Sequence, residues 1–226
     1  MAKAAKKKAP VDESFVSKLE IVDCVQGEPL WFAARLGVPT ASRFADVLAA
    51  GDGKMRTRYL RDLAGEIMSD RPAENFKNGA MARGNEMEAA GLAVYANSTF
   101  EQVTRIGFAK NSGLLRYATV GASPDALVGD AGGVEIKSMA PHLLIDVLDK
   151  GVRGFPSEHR AQVQGNIWVF ERRWWDLCLY WPGMPRCVFR VERDDAYIAE
   201  MAKAVETFCF DLRTLVQRLR AMKGGS

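Results

Sequence analysis

Hydrophobic residues follow a helical period in several stretches of the chain. The clearest stretch is 55–68, where apolar side chains recur every three or four positions and arginines lie between them. Similar patterns predict helices at 80–96, 141–150, 157–171 and from residue 194 onward, and a short helix at 40–50 that Thr40-Ala41-Ser42 would cap. The segment 23–35 lacks this period, so we predict a loop there that buries Trp31 and Phe32.

The region 102–137 has a different pattern, in which short apolar runs are separated by glycines. It predicts a meander of strands at 103–108, 114–120, 126–128 and 134–137, and two further strands are predicted at 174–181 and 187–191. This order of elements favours an α/β or α+β domain with one central mixed β-sheet flanked by helices. With 226 residues, 48% of them hydrophobic, the chain can bury one sizeable core, and we predict a single domain at 11–226.

Composition excludes several classes of protein. The four cysteines form no CxxC pair and there are two histidines, so zinc-ligand spacing is missing and we expect reduced thiols in a cytosolic protein. No apolar run approaches the length that spans a bilayer, and the lysine-rich segment 1–10 lacks the apolar stretch of a secretory signal. That segment is predicted to be a disordered tail, with weak contact to DNA phosphates as the alternative.

Charge does not by itself identify a partner. The formal net charge of +3 comes from 31 basic and 28 acidic residues, so any DNA path must come from local clustering. Arg56, Arg58 and Arg61 on the predicted helix 55–68 form either a solvated face or part of such a path.

The segment with the most chemical information is Ser123-Pro124-Asp125, followed after nine residues by Glu135-Ile136-Lys137. Alternate side chains of a strand share a face, so Glu135 and Lys137 are expected to point together while Ile136 enters the core. The turn at 129–133 would fold the second strand back beside the first and bring Asp125 toward Glu135. Two carboxylates suit a hard cation such as Mg²⁺, and an adjacent lysine could orient or deprotonate a water. The competing interpretation is a surface hairpin with solubilising charges.

Two further polar residues lie on predicted helices. Glu88 falls on the face that carries Leu92 and Tyr95, whereas Glu86 lies about 200° away and points outward. A carboxylate on a buried face must be paired or bind something, unless the helix face is misjudged. Gln162, in the segment 161–164, either serves the same site or caps polar groups of the core.

Five ordered blocks carry a resemblance to a known family. They are Trp31 with Arg35-Leu36-Gly37-Val38 and Thr40-Ala41-Ser42, Gly84 to Glu88, Ser123-Pro124-Asp125, Glu135-Ile136-Lys137, and Ala161-Gln162-Val163-Gln164 with Trp168. Over about 23–197 the chain resembles the lambda-type and viral alkaline exonucleases. These are the YqaJ-like viral recombinases of the PD-(D/E)xK nuclease superfamily. The resemblance implies that the chain has their restriction-endonuclease-like core.

The resemblance implies a role for each matched residue. Asp125 and Glu135, with the Ile136 carbonyl, would bind two Mg²⁺ ions, and Mn²⁺ could take the place of Mg²⁺. Lys137 would be the catalytic lysine. Glu88 would support the metal region, and Gln162 would position the water or Lys137. Residues that would bind the 5′-phosphate of the strand being cut are Arg35, Ser42 and Ser123. The alternatives to phosphate binding are that Arg35 forms an ordinary ion pair on the surface and that Ser42 only caps a helix.

The sequence departs from the family pattern at His159 and Arg83, and His159 could add a pH-sensitive group. The resemblance also implies the activity: 5′-to-3′ digestion of one strand of linear double-stranded DNA with a 5′-phosphorylated end, by a homotrimer ring in the cytoplasm of a phage or prophage host. The 3′ single-stranded tail would pass to a phage single-strand-annealing protein. A structure-specific or restriction-like endonuclease, and a nuclease-dead DNA-binding module, are the competing hypotheses.

Overall fold

A computed structural model describes residues 18–49, 53–72, 79–99 and 102–224 of the chain, without the side chains of 79–85. The eight strands of this part are β1 Leu19–Val22, β2 Val103–Thr104, β3 Phe108–Leu115, β4 Ala118–Ala122, β5 Ala126–Val128, β6 Gly132–Ser138, β7 Trp174–Tyr180 and β8 Cys187–Glu192. Its seven α-helices are α1 Pro29–Arg35, α2 Phe44–Leu48, α3 Lys54–Ser69, α4 Gly79–Thr99, α5 Pro141–Lys150, α6 Arg160–Val169 and α7 Asp195–Gly224.

The strands form two sheets. The larger has the order β2-β5-β6-β7-β8 and is mixed, because β6 and β7 run parallel while the other neighbours are antiparallel. The smaller is antiparallel with the order β1-β3-β4, and a bridge from Thr40 to Gly121 joins the segment before α2 to its edge. The predicted mixed sheet flanked by helices is therefore confirmed, with a second sheet beside it.

Helices cover both faces of the larger sheet. On one face, α4 buries Leu92 and Tyr95 against Ile136 and Cys178. On the other face lies α6, which is buried almost all round because it also packs against the smaller sheet, α2 and α7. A helix in this position must find partners for its polar side chains, since an unpaired buried amide is costly. Those of α6 are paired with the backbone of the chain and with Glu135, as described below.

The hairpin of β5 and β6 explains the glycines around it. Gly129 begins the turn with a φ of +50°, which suits a residue without a side chain. Gly132 and Gly133 lie under the indole rings of Trp174 and Trp175 on β7, where a Cβ atom would collide with the rings. The two strands pair with Ala126 opposite Val134, so the predicted return of the second strand is confirmed.

Several predictions of local structure were wrong. The segment 23–35 contains α1, and its Trp31 and Phe32 are half-buried. Thr40 and Ser42 make no capping hydrogen bond, because Ser42 belongs to a 3-10 turn that leads into α2, which ends at Leu48. The predicted strand 114–120 spans the end of β3, a turn and the start of β4. The predicted strand 103–108 holds β2 and only the first residue of β3.

Other predictions from the sequence are confirmed, and a few lie outside the described residues. Helices 55–68, 80–96 and 141–150 agree with α3, α4 and α5, and the long C-terminal helix is α7. All four cysteines are free. Within the described residues, no helix combines the length and the apolar character needed to cross a bilayer. The predicted tail at 1–10, the residue Ala50 at the end of the predicted helix 40–50, and the side chain of Arg83 lie outside what the structure describes.

Candidate active site

Asp125 and Glu135 lie side by side at the open end of the β5-β6 hairpin. If the pairing of Ala126 with Val134 is continued by one residue, Asp125 stands opposite Glu135. The Asp125 carboxylate accepts a hydrogen bond of 2.6 Å from the backbone N–H of Ile136, which fixes its position against β6. The side chain of Ile136 is fully buried on the opposite face, as the alternation of the strand predicts.

Three side chains hold the buried carboxylate of Glu135. Its Oε1 atom accepts hydrogen bonds from Lys137 Nζ at 2.8 Å and from Gln162 Nε2 at 2.5 Å. Its Oε2 atom accepts one from Asn166 Nδ2 at 3.2 Å. Gln162 and Asn166 are one turn apart on α6, so both face β6. The helix therefore fixes both oxygens of the Glu135 carboxylate.

Glu88 reaches the same end of the sheet from α4. It is half-buried, whereas Glu86 is exposed, in agreement with the predicted helix face. One turn further on, Gly91 lies so close to β6 that a Cβ atom would stand 2.6 Å from Ile136 Cγ2. This close approach sets how far Glu88 lies from the strand that carries Glu135 and Lys137.

The carboxylates of the site repel one another. Burial, followed by the charge of Glu135, raises the pKa of Asp125 well above its ordinary value, and Glu88 adds to this effect. Burial also raises the pKa of Glu88, against the opposing effect of Lys137. For Lys137, burial lowers the pKa, but Glu135, Asp125 and Glu88 outweigh it and raise the pKa overall. With these carboxylates ionised and no metal bound, Lys137 is therefore an ammonium ion at neutral pH.

A hard divalent cation fits this set of donors. Two crowded carboxylates lie beside each other, and added positive charge would relieve the repulsion that raises the pKa of Asp125. Among the described residues, no group of three or more His, Cys, Asp and Glu side chains is placed to hold a metal ion. Asp125 and Glu135 are the residues that could contribute carboxylate oxygens to a cation such as Mg²⁺, which also takes water and substrate oxygens as ligands.

Arg35 and Ser123 meet next to these carboxylates. Ser123 Oγ accepts hydrogen bonds from Arg35 Nη1 at 2.8 Å and from Trp31 Nε1 at 2.9 Å. Because a hydroxyl accepts two bonds and donates one, its O–H is left to donate to a further acceptor. The Arg35 guanidinium also stacks 4.2 Å from the Trp31 ring and is half-buried, and no described carboxylate forms an ion pair with it. This arrangement suits an anion.

Ser42 and His159 have no direct contact with the carboxylates or with Arg35 among the hydrogen bonds of the described residues. Ser42 is exposed, and its Oγ lies 3.3 Å from Thr40 Oγ1. The bridge from Thr40 to Gly121 brings the turn that carries Ser42 beside the strand leading to Ser123. Burial, followed by the charge of Lys137, lowers the pKa of His159, so this imidazole is neutral at pH 7. His159 ends the 3-10 turn that precedes α6, three residues before Gln162.

Two contacts of the site were missed by the sequence analysis. Asn166 binds Glu135 directly, and its position one turn after Gln162 was the signal that could have identified it. Gln26 donates a hydrogen bond of 2.9 Å to the carbonyl of Pro124 and so holds the turn that precedes Asp125. No sequence pattern links Gln26 to Pro124, because 98 residues separate them.

The mixed sheet between helices, with an aspartate at the end of one strand and Glu-x-Lys on the next, defines a nuclease of the PD-(D/E)xK class. The chain belongs to the YqaJ-like viral recombinase domain family, whose profile matches residues 30–173. No curated protein matches the chain.

Solved structures agree with this assignment. LHK-Exo in complex with dAMP is 34% identical, with 88% of this chain and 99% of that chain covered and a TM-score of 0.76. A second structure of LHK-Exo, an alkaline exonuclease from Laribacter hongkongensis, is 33% identical with the same coverage and a TM-score of 0.75. A phage-related exonuclease from Haemophilus somnus has the same fold, with 11% identity, coverage of 80% and 96%, and a TM-score of 0.56.

Proposed function

We propose that this protein is a Mg²⁺-dependent exonuclease that degrades one strand of linear double-stranded DNA from its 5′ end and leaves a 3′ single-stranded tail. The observation that carries the proposal is the position of Ser123, two residues before Asp125. Ser123 and Arg35 form a site suited to an anion, and the adjacent carboxylates of Asp125 and Glu135 suit a divalent cation. A 5′-phosphate bound at the first site would place the next phosphodiester near the second.

The residues of the metal region have separate roles in this proposal. Asp125 and Glu135, with the Ile136 carbonyl, would bind one or two Mg²⁺ ions, or Mn²⁺ in their place. A bound ion would polarise the scissile phosphate and lower the pKa of the attacking water. Glu88 would accept a hydrogen bond from metal-bound water, and Gln162 would keep Glu135 in one orientation.

Lys137 acts as a cation in this proposal and not as a base. Its raised pKa keeps it protonated at neutral pH, so it can stabilise negative charge on the phosphate and orient the attacking water. Its hydrogen bond to Glu135 holds the ammonium group at the edge of the metal region.

Arg35, Ser123 and Ser42 would bind the terminal 5′-phosphate. A guanidinium and hydroxyl donors suit phosphate oxygens, and the stacking of Arg35 on Trp31 restricts its orientation before DNA binds. The complex of LHK-Exo with dAMP supports release of deoxynucleoside monophosphates by this chain. By the family resemblance we also infer a homotrimer ring and a phage single-strand-annealing protein as the acceptor of the 3′ tail.

End-labelled DNA tests the proposal. Linear duplex labelled separately at the 5′ and 3′ ends is incubated with Mg²⁺ or with chelator, beside a closed circular duplex. We expect Mg²⁺-dependent release of the 5′ label as mononucleotide, with the circle intact and faster release from 5′-phosphorylated than from 5′-hydroxyl ends. Cutting of the circle would indicate an endonuclease, and cutting of neither would indicate a DNA-binding module. Light scattering of the purified protein tests the trimer.

A further inference from the structure

A cleft of about 520 Å³ lies against the candidate active site, and part of its lining has no role in the proposed function. Its volume is within the range of about 300–1,000 Å³ that is usual for small-ligand sites. Asp125 and Glu88 form part of its lining, and the segments 21–26 and 105–107 form the rest. The cleft therefore opens directly onto the carboxylates proposed to bind metal.

This cleft also borders the proposed 5′-phosphate site. Gly107 lines the cleft, and its carbonyl accepts a hydrogen bond of 3.2 Å from Trp31 Nε1, the same group that binds Ser123. Gln26, another lining residue, binds the carbonyl of Pro124. A DNA strand held at Ser123 and Asp125 would therefore lie along the wall that contains Gly107.

Among the described residues that line the cleft, the charged groups are three carboxylates and one guanidinium. The carboxylates belong to Asp23, Glu88 and Asp125, and the guanidinium belongs to Arg105, in the short connection between β2 and β3. Arg105 is exposed, and no ion pair joins it to a carboxylate within the described ranges. Arg105 and Glu88 line the same cleft, and the charge of Arg105 partly offsets the burial that raises the pKa of Glu88.

We propose that Arg105 binds a phosphate of the DNA strand being cut and guides that strand past the metal carboxylates. A polyanion that enters a cleft lined by three carboxylates needs a local cation, and Arg105 is the basic residue of this lining. A guanidinium is suited to this contact because it can bind two phosphate oxygens at once. The assignment rests on the proposed nuclease function and adds a substrate-binding residue to it.

The alternative is that Arg105 has a purely structural role and only offsets the negative charge of Glu88 and Asp125. The two roles predict different results, because loss of a phosphate contact changes the salt dependence of DNA binding, whereas loss of an internal charge partner changes metal affinity or stability. Each contact to a DNA phosphate contributes about 0.9 to the slope of log Kd against log salt concentration.

Arg116 offers a matched control. It is exposed, like Arg105, and lies just beyond the other end of the eight-residue strand β3, on the order of 25 Å away. The variants R105Q and R116Q remove the same charge from the protein. The variant R105K keeps a charge but loses the planar guanidinium.

The experiment measures binding of the full chain to a fluorescent, 5′-phosphorylated duplex with Ca²⁺ in place of Mg²⁺, over a series of NaCl concentrations. We expect the salt slope of R105Q to fall by about 0.9 relative to wild type, and R116Q to keep the wild-type slope. R105K should also keep the wild-type slope, because its charge is retained, but should bind the duplex more weakly because it loses the two-oxygen contact of the guanidinium. In digestion assays with Mg²⁺, R105Q should raise KM several-fold with little change in kcat.

An unchanged salt slope in R105Q, or an equal fall in R116Q, would overturn the assignment. An unchanged slope together with tighter metal binding by DNA-free R105Q would show the structural role instead. Failure of the proposed function is recognised separately, because wild-type protein would then bind the duplex without digesting it. Thermal unfolding of the variants checks that each one folds.

Discussion

Removing the amide of Asn166 should disable the site without unfolding the protein. Among the described side chains, Asn166 is the one that donates a hydrogen bond to Glu135 Oε2, whereas Oε1 accepts from both Lys137 and Gln162. In Asn166→Ala the buried Oε2 atom loses this donor. The Glu135 carboxylate can then rotate away from the orientation that suits a metal.

The expected loss of turnover follows from the strength of the hydrogen bond between Asn166 and the Glu135 carboxylate. A hydrogen bond to a charged group contributes about 1.5–3 kcal/mol, and about 1.4 kcal/mol corresponds to a factor of ten. We therefore expect the turnover of Asn166→Ala to fall by about tenfold to a hundredfold, with a smaller change in KM because Asn166 acts through Glu135 and not on DNA. Asn166→Asp should be worse, since it places a second carboxylate against Glu135.

Gln164 provides the control on the same helix. It is equally buried, but its amide binds the carbonyl of Glu192 at 2.8 Å and the N–H of Asp194 at 3.1 Å, away from the site. Gln164→Ala should lower the unfolding temperature while the folded enzyme keeps its turnover. Digestion of end-labelled duplex is measured for both variants at saturating Mg²⁺ and corrected for the folded fraction. Wild-type turnover in Asn166→Ala, or equal losses in the two variants, would refute the reasoning.

Three further perturbations test the site and its support. Because burial and Glu135 raise the pKa of Asp125, the metal-free protein loses stability as pH rises through that pKa. Asp125→Asn should therefore unfold at a higher temperature than wild type in chelator at pH 8, yet gain nothing from Mg²⁺ and digest no DNA. A lower unfolding temperature would contradict this sign. Gly91→Ala should cost about 1–3 kcal/mol by overpacking against Ile136 and should reduce turnover, as measured by denaturant unfolding and digestion. Unchanged values would show that α4 can shift freely. Asp176→Ala should cost about 1–3 kcal/mol, because the buried Tyr95 hydroxyl loses its acceptor at 2.7 Å while the half-exposed Arg190 can be hydrated. A neutral result in urea unfolding would refute that assignment.

The sequence by itself determined what depends on neighbouring residues. Helices α3, α4, α5 and α7 follow from apolar positions at helical spacing, because each amphipathic stripe is long enough to be recognised. The approach of Asp125 to Glu135 was predictable for a similar reason. Only a short hairpin separates them, and a glycine turn with antiparallel pairing fixes which residues stand opposite each other. The alternation along β6 then places Lys137 beside Glu135.

Only the tertiary structure shows those features that depend on contacts between segments far apart in the sequence. The helix α1 was missed because its seven residues bury no side chain completely, so it shows no strong apolar stripe. The division of the strands into two sheets depends on β1 and β7, which lie far from the region 102–137 along the chain. The contacts of Arg35 with Ser123 and of Asn166 with Glu135 join residues that are 88 and 31 positions apart. Local pattern contains no information on such pairs, because packing of the whole core determines which of them meet.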